Sequence, residues 1–333
     1  MSSATPSAAR AASGTRGTEA MKILSAEDVH AVLSYPALVD ALQQAYAGPF
    51  SMPPRNVYLL DDEPGNHDAF AVLPSWNDEL IAVKSFTYFP DNPRPEFASL
   101  YSKIMLFDRK HGEPLALVDG TSVTFWRTAG ISGLASRLLS REDSKTLLLL
   151  GTGNLAPYII KAQLSVRPIE RVMVWGRTPS KAQVIAEQFA SENNAVRFEA
   201  VEDLQQACGE ADIIVSATGS HEPLVLGDWV TPGTHTDFIG NHHATKRECD
   251  TALVKKSKVC ADSYVNCFKE AGEVLVPIDE GAITKDHVVG ELKEMCSGAV
   301  KLRESADEIT LFKSIGMAMS DLVGAGCAYR AAR

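Results

Sequence analysis

Cysteine is absent before residue 208. The six thiols that follow, Cys208, Cys249, Cys260, Cys267, Cys296 and Cys327, form no CxxC pair and none of the spacings that gather zinc. This argues against a disulfide scaffold and points to reduced thiols in a cytoplasmic protein. No apolar stretch approaches the roughly 20 residues that span a bilayer, and the four-leucine run 147–150 stops at Gly151. A membrane is therefore not an expected partner. Positive charge is in deficit, with 32 Lys and Arg against 42 Asp and Glu and a formal net charge of −10, which argues against nucleic acid. His235, His242 and His243 lack the converging spacing of a ligand set, so no metal site is expected.

What is present describes an ordinary globular chain with room for two cores: 333 residues, 45% of them hydrophobic and 22% charged. Residues 1–20 are rich in Ala, Ser, Thr and Gly, a composition that reads as a disordered tail. Ser25 followed by Asp28 resembles a capping box, and the chain after Pro36 supports a second helix. β-rich runs at 56–60, 69–73, 81–87, 103–107 and 114–118, punctuated by Pro, Gly and Asp, predict a mainly antiparallel α+β unit. A helix over 122–140 then carries the chain into a different rhythm. Continuous apolar strands at 146–150, 172–175, 196–198, 213–216 and 236–239 alternate with helices, the signature of a parallel sheet. The alternation stops near Ile309, and 314–332 reads as one long helix.

The strongest chemical signal is Gly151-x-Gly153-x-x-Ala156, directly after a strand and before a helix. Gly151 permits the tight turn and Gly153 the approach of a pyrophosphate. Ala156 keeps the helix against the sheet, so that its N-terminal N–H groups face the phosphate; Asn154 and Leu155 complete the turn. The next strand ends without the Asp or Glu that would accept a ribose 2′-hydroxyl. Arg177, Thr178 and Lys181 follow instead, donors suited to a 2′-phosphate, and they predict NADP(H) rather than NAD(H). In the first half Arg55, Lys84 and Arg127 each lie within or beside apolar runs. Since cations are rarely buried unpaired, together they suggest an anionic ligand such as a carboxylate.

The ordered series LALVDGTSVTFWRTAGISGLA, GTGNLA, VWGRTPSKA, SATGSHEPLVLGDWVTPGTH and ITLFKSIGMAMSDLVGA resembles the ornithine cyclodeaminase/mu-crystallin family from Met21 onward. The resemblance implies an α/β architecture: a Rossmann dinucleotide-binding domain plus an α+β substrate and dimerisation domain completed by the C-terminal helix. The corresponding boundaries are 21–121 with 313–333 for the substrate domain and 122–312 for the connecting helix and Rossmann domain. It places Arg55, Lys84 and Arg127 at the carboxylate of an amino or imino acid. Thr128, Ser216, Ala217, Thr218, Ile239, Gly240, Ser314 and Gly316 fall along the cofactor, and a homodimer is implied.

One departure from the family pattern is informative. Cyclodeaminases of the family carry an Asp two positions after the glycine that aligns with Gly240, and here that position is His242. Members that reduce cyclic ketimines with NADPH also lack the Asp. The expected activity is therefore NADPH-dependent reduction of Δ1-pyrroline-2-carboxylate or Δ1-piperideine-2-carboxylate. Ornithine cyclodeamination and low-turnover NADPH binding of the mu-crystallin kind are the alternatives. Lys84 and His242 are the candidates for the chemical step, His242 as a proton donor or as a plain exposed histidine.

Overall fold

The computed structural model describes residues 20–332 apart from 62, 64, 66, 93 and 95, so the expected N-terminal tail lies outside the described residues except at Ala20. The first unit comprises β1 (Lys22–Leu24), α1 (Ala26–Val32), α2 (Tyr35–Ala47), β2 (Asn56–Leu59), β3 (Ala69–Trp76), β4 (Leu80–Tyr88), β5 (Leu100–Asp108), β6 (Pro114–Asp119) and α3 (Gly120–Leu139). The capping box at the start of α1 is real: Ser25 Oγ accepts from the Asp28 N–H, and the Asp28 carboxylate accepts from the Ser25 N–H. Six strands form a sheet in the order β1-β6-β5-β4-β3-β2, antiparallel except where β1 joins β6.

The second unit comprises β7 (Thr146–Leu150), α4 (Ala156–Val166), β8 (Arg171–Trp175), α5 (Pro179–Glu192), β9 (Arg197–Ala200), α6 (Leu204–Glu210), β10 (Ile213–Ser216), β11 (His235–Phe238), α7 (Thr251–Lys256), β12 (Ser257–Ala261), α8 (Tyr264–Glu270), α9 (Gly272–Asp279), β13 (Val288–Glu291), α10 (Leu292–Ser297) and β14 (Ile309–Lys313). Its eight strands are all parallel, in the order β13-β12-β14-β11-β10-β7-β8-β9. The reversal of order beside β7 opens a crevice at the carboxyl ends of β7 and β10, where doubly wound sheets bind ligands.

The expectation of one helix over 314–332 is corrected. Residues 309–313 form β14, fully inside the sheet between β11 and β12, and α11 (Ala318–Ala331) starts only at Ala318. Between them the Asp262 carboxylate takes the N–H groups of Ile315 and Gly316, and Gly316 turns the chain at φ 100°. A residue in that left-handed conformation is not helical, so the helix opens only after it. Strands β12 and β13 also go beyond the sequence pattern; both are short and lack strong turn punctuation. α11 returns to the first unit, where Met319, Leu322 and Ala325 join Leu38, Leu42, Ile104, Leu106, Val118 and Leu134 in one core. α3 runs through this core and against α4, with Ala129, Gly130, Ser132, Gly133, Ala135 and Ser136 all buried along it. Small side chains let neighbouring elements approach: a Cβ on Gly130 would sit 3.0 Å from Leu42 Cδ1.

Candidate active site

At the end of β7, Gly151 adopts φ 115°, and a Cβ there would lie 2.5 Å from the Ala217 carbonyl oxygen, so the turn admits only glycine. At Gly153 a Cβ would meet nothing within 4 Å, which leaves the backbone open to a ligand. α4 follows with Ala156 buried and Pro157 in the first turn, where its missing N–H costs nothing. Above the turn lies a cavity of about 300 Å³ lined by Gly151, Gly153, Arg177, Thr178, Lys181, Ala217 and Thr218 among others. Arg177, Thr178 and Lys181 are exposed on its rim. Among the described residues no carboxylate pairs with Arg177 or Lys181. Thr178 stands at the N-cap of α5 without making a side-chain cap bond, so its hydroxyl is also available. A glycine turn, a helix N-terminus and unpartnered donors fit a dinucleotide phosphate. Asn154 is exposed beyond the turn, and Leu155 precedes α4 half-buried.

The opposite wall depends on Glu248, which is fully buried. Its Oε1 accepts from Ser216 Oγ at 2.6 Å and from the Thr218 N–H and Oγ1, each at 2.7 Å, while Oε2 accepts from the Gly240 N–H at 2.7 Å. Gly240 packs so closely that a Cβ would lie 2.0 Å from the Thr218 carbonyl oxygen. Ser216 and Ile239 are buried, the former with its hydroxyl committed to Glu248, and of this expected group Ala217 and Thr218 line the cavity. Loss of water raises the Glu248 carboxyl above its ordinary range. Beneath it Lys313 and Glu273 form a fully buried ion pair at 2.9 Å, and Lys313 Nζ also reaches the Asn241 carbonyl.

The structure gathers two of the three first-half cations. Lys84 Nζ, from β4, donates to Thr124 Oγ1 at 2.6 Å and to Asp321 Oδ1 at 3.0 Å; Arg127 Nε, from α3, donates to the same oxygen at 3.1 Å. Burial and the neighbouring Arg127 push the Lys84 ammonium below its ordinary pKa, and Asp321 opposes them. Gly316 lies against the guanidinium, since a Cβ there would be 3.1 Å from Arg127 Nη1. Ser314 is buried and donates to Asp262 at 3.1 Å. Thr128 follows Arg127 on α3, half-buried. Arg55 is engaged elsewhere: its Nη2 meets Glu270 of α8 at 2.5 Å, on the wall of a second cavity of about 280 Å³ that also includes Gly316 and Met317.

His242 keeps an exposed edge after β11, beside these groups. Desolvation and then the charges of Lys313, Arg127 and Arg55 push its imidazole down to about 4. His235 is fully buried, with its ring nitrogen against the Thr310 hydroxyl. Sequence reasoning misses Asp321, Glu248, Asp262 and Glu270. A lone acid inside a small and apolar run, as in MAMSDLVGA, is the signal that points to Asp321.

These features agree with what comparison finds. The chain is 53% identical to a Delta(1)-pyrroline-2-carboxylate reductase from Colwellia psychrerythraea, over 92% of this chain and 97% of that one. It superposes at a TM-score of 0.86 on the Thermococcus litoralis Delta(1)-pyrroline-2-carboxylate reductase in complex with NADH and L-proline, at 33% identity over 94% of this chain and 97% of that one. An archaeal alanine dehydrogenase dimer with bound NAD matches at a TM-score of 0.83, 27% identity, 94% of this chain and 96% of that one. The family model for ornithine cyclodeaminase/mu-crystallin proteins matches residues 19–333, and the chain belongs to that family.

Proposed function

We propose that this chain is a nicotinamide-dependent reductase of a cyclic 2-carboxylated imine, converting Δ1-pyrroline-2-carboxylate to proline, with Δ1-piperideine-2-carboxylate as a second substrate giving pipecolate. The observation that carries this reading is the Lys84–Arg127 pair, the lysine buried and the guanidinium partly so, both held on Asp321 with donors to spare. A carboxylate on Arg127 and Lys84 would be held by charge-assisted hydrogen bonds, which fix the adjacent C=N carbon in orientation. A dinucleotide held at Gly151, Gly153 and Arg177 would supply hydride to that carbon, and solvent the proton on the imine nitrogen. The remaining work is positional: Glu248 holds the Thr218 and Gly240 backbone as one wall, and Asp262 holds the 315–316 turn as another. The names of the Colwellia and Thermococcus relatives favour the five-membered ring.

NADPH is the proposed coenzyme, because the strand-end position carries Arg177, Thr178 and Lys181 and no acid. The proposed assembly is a homodimer through the outer face of the first sheet. The register aligns Tyr58, Phe70, Thr87 and Tyr101 across it, and the three aromatic residues are exposed. Sedimentation equilibrium should give twice the chain mass at micromolar concentration. The six free thiols suit a cytoplasmic location, and among the described residues no helix is long and apolar enough to cross a membrane.

Absorbance at 340 nm tests the activity. Oxidation of NADPH in step with added imine is the expected result. Ammonia released from ornithine without net oxidation would instead assign a cyclodeaminase, and neither signal would leave a binding protein.

A further inference from the structure

We propose that Asp321 is a positioning residue for the substrate carboxylate: its Oδ1 anchors Lys84 and Arg127 together and keeps the site at one net positive charge, matched to a single carboxylate. This deepens the imine-carboxylate reading and rests on it. Two cations, from β4 and α3, converge on one carboxylate oxygen of α11. The anchor uses only part of each donor set. Arg127 gives Asp321 its Nε, which leaves Nη1 and Nη2 free for a bidentate carboxylate. Lys84 has three donors and spends two of them, on Thr124 and Asp321. Without Asp321, two cations would face each other in a buried site, and the lysine, the one able to shed its proton, would do so.

The surroundings leave this job to Asp321. On the strands flanking β4, Leu73 and Ile104 stand opposite Lys84 and carry no charge. From α2, Tyr46 pairs its hydroxyl with Ser320 at 3.2 Å, and burial holds its phenol above the ordinary range, so it stays neutral. From α3 come Thr124 and Arg127. Asp262, after β12, has its Oδ2 committed to Ser314, Ile315 and Gly316. Arg55 is held by Glu270. His242 is neutral near pH 7.

The test measures binding of pyrrole-2-carboxylate, a planar analogue of the imine, across the pH range with cofactor present, in wild type, Asp321→Asn and Asp321→Glu. In Asp321→Asn the alkaline loss of binding should move to lower pH by about one unit or more, because Lys84 loses the charge that keeps it protonated. Below that limb the variant should bind at least as tightly as wild type, since the site then carries an extra positive charge. The two profiles therefore cross. Asp321→Glu keeps the charge but displaces the oxygen, so its limb should stay in place while affinity falls roughly tenfold throughout. Cofactor affinity should be unchanged in both.

A uniform loss of affinity in Asp321→Asn, with the limb unmoved, would overturn the proposal, as would a wild-type profile in Asp321→Glu; the latter arm decides alone if the Asn variant does not fold. Turnover of the imine by wild type is measured alongside. Crossing profiles without turnover would discard the substrate and retain the role of Asp321. Failure of wild type to bind the analogue would overturn both.

Discussion

The dinucleotide crevice and the Lys84–Arg127 site are built on opposite plans. The crevice is made of backbone at the end of a strand, with its donors exposed and unpartnered: Gly151, Gly153 and Ala156 lie within six residues, and Arg177, Thr178 and Lys181 within five. The cation site is made of side chains, Lys84 and Asp321 buried and Arg127 partly so, and its members are spread from Lys84 to Asp321. A ligand entering the first site meets groups already in water. One entering the second must join a charge balance the protein has already struck. Truncation should therefore cost more where a partner is left buried and uncompensated than where water can replace the lost group.

The largest effect is expected at the buried wall between the two. Glu248→Ala removes the acceptor of four donors, on buried Ser216 and on part-buried Thr218 and Gly240. At about 1 kcal/mol per lost hydrogen bond, it should weaken cofactor binding by about a hundredfold, roughly 3 kcal/mol, and lower the melting temperature; fluorescence titration and thermal unfolding read both.

Arg127→Ala and Lys84→Ala come next. Each deletes a charge-assisted hydrogen bond to the substrate and a partner of buried Asp321, so kcat/KM should fall by about ten- to a hundredfold, or 1.5 to 3 kcal/mol, with cofactor affinity retained. Unchanged kinetics in both would remove the carboxylate site. Arg177→Ala, on the exposed rim, should cost NADPH about tenfold in affinity and NADH almost nothing. Parallel titrations with both cofactors check this, and an undiminished preference for NADPH would move the phosphate pocket elsewhere.

The smallest effect is on stability alone. Asp237 on β11 is fully buried, and desolvation, opposed by the Ser132 hydroxyl and the Lys313 charge, raises its carboxyl to about 7. A carboxyl whose folded pKa is raised contributes stability that is complete below its unfolded value near 3.8 and is lost as pH rises through about 7. Asp237→Asn should thus stabilise the protein more at pH 8 than at pH 5, read as a pH-dependent gain in melting temperature. A gain equal at both would show that Asp237 does not titrate in the folded state.

The contrast between the sites also explains which features are legible in the sequence. The Gly151 turn, the parallel strands after residue 146 and the Ser25–Asp28 cap are local: each depends on residues a few positions apart, whose backbone geometry and hydrogen bonding are decided by their own side chains. The family resemblance names the three first-half cations, but not that two of them share Asp321 while Arg55 turns to Glu270. The late start of α11 has the same origin. Gly316 leaves the helical region at φ 100°, in a turn held by a carboxylate that belongs to Asp262, far back in the chain.

Composition, periodicity and the glycine turn were sufficient for the class of fold and the place of a dinucleotide, because those follow from the backbone and its near neighbours. Which charges meet, and so which proton each holds, was settled only when β4, α3 and α11 packed together. Lys84 and Asp321 lie 237 residues apart in the chain. In water they would interact weakly; buried 3.0 Å apart, with solvent excluded, each sets the state of the other.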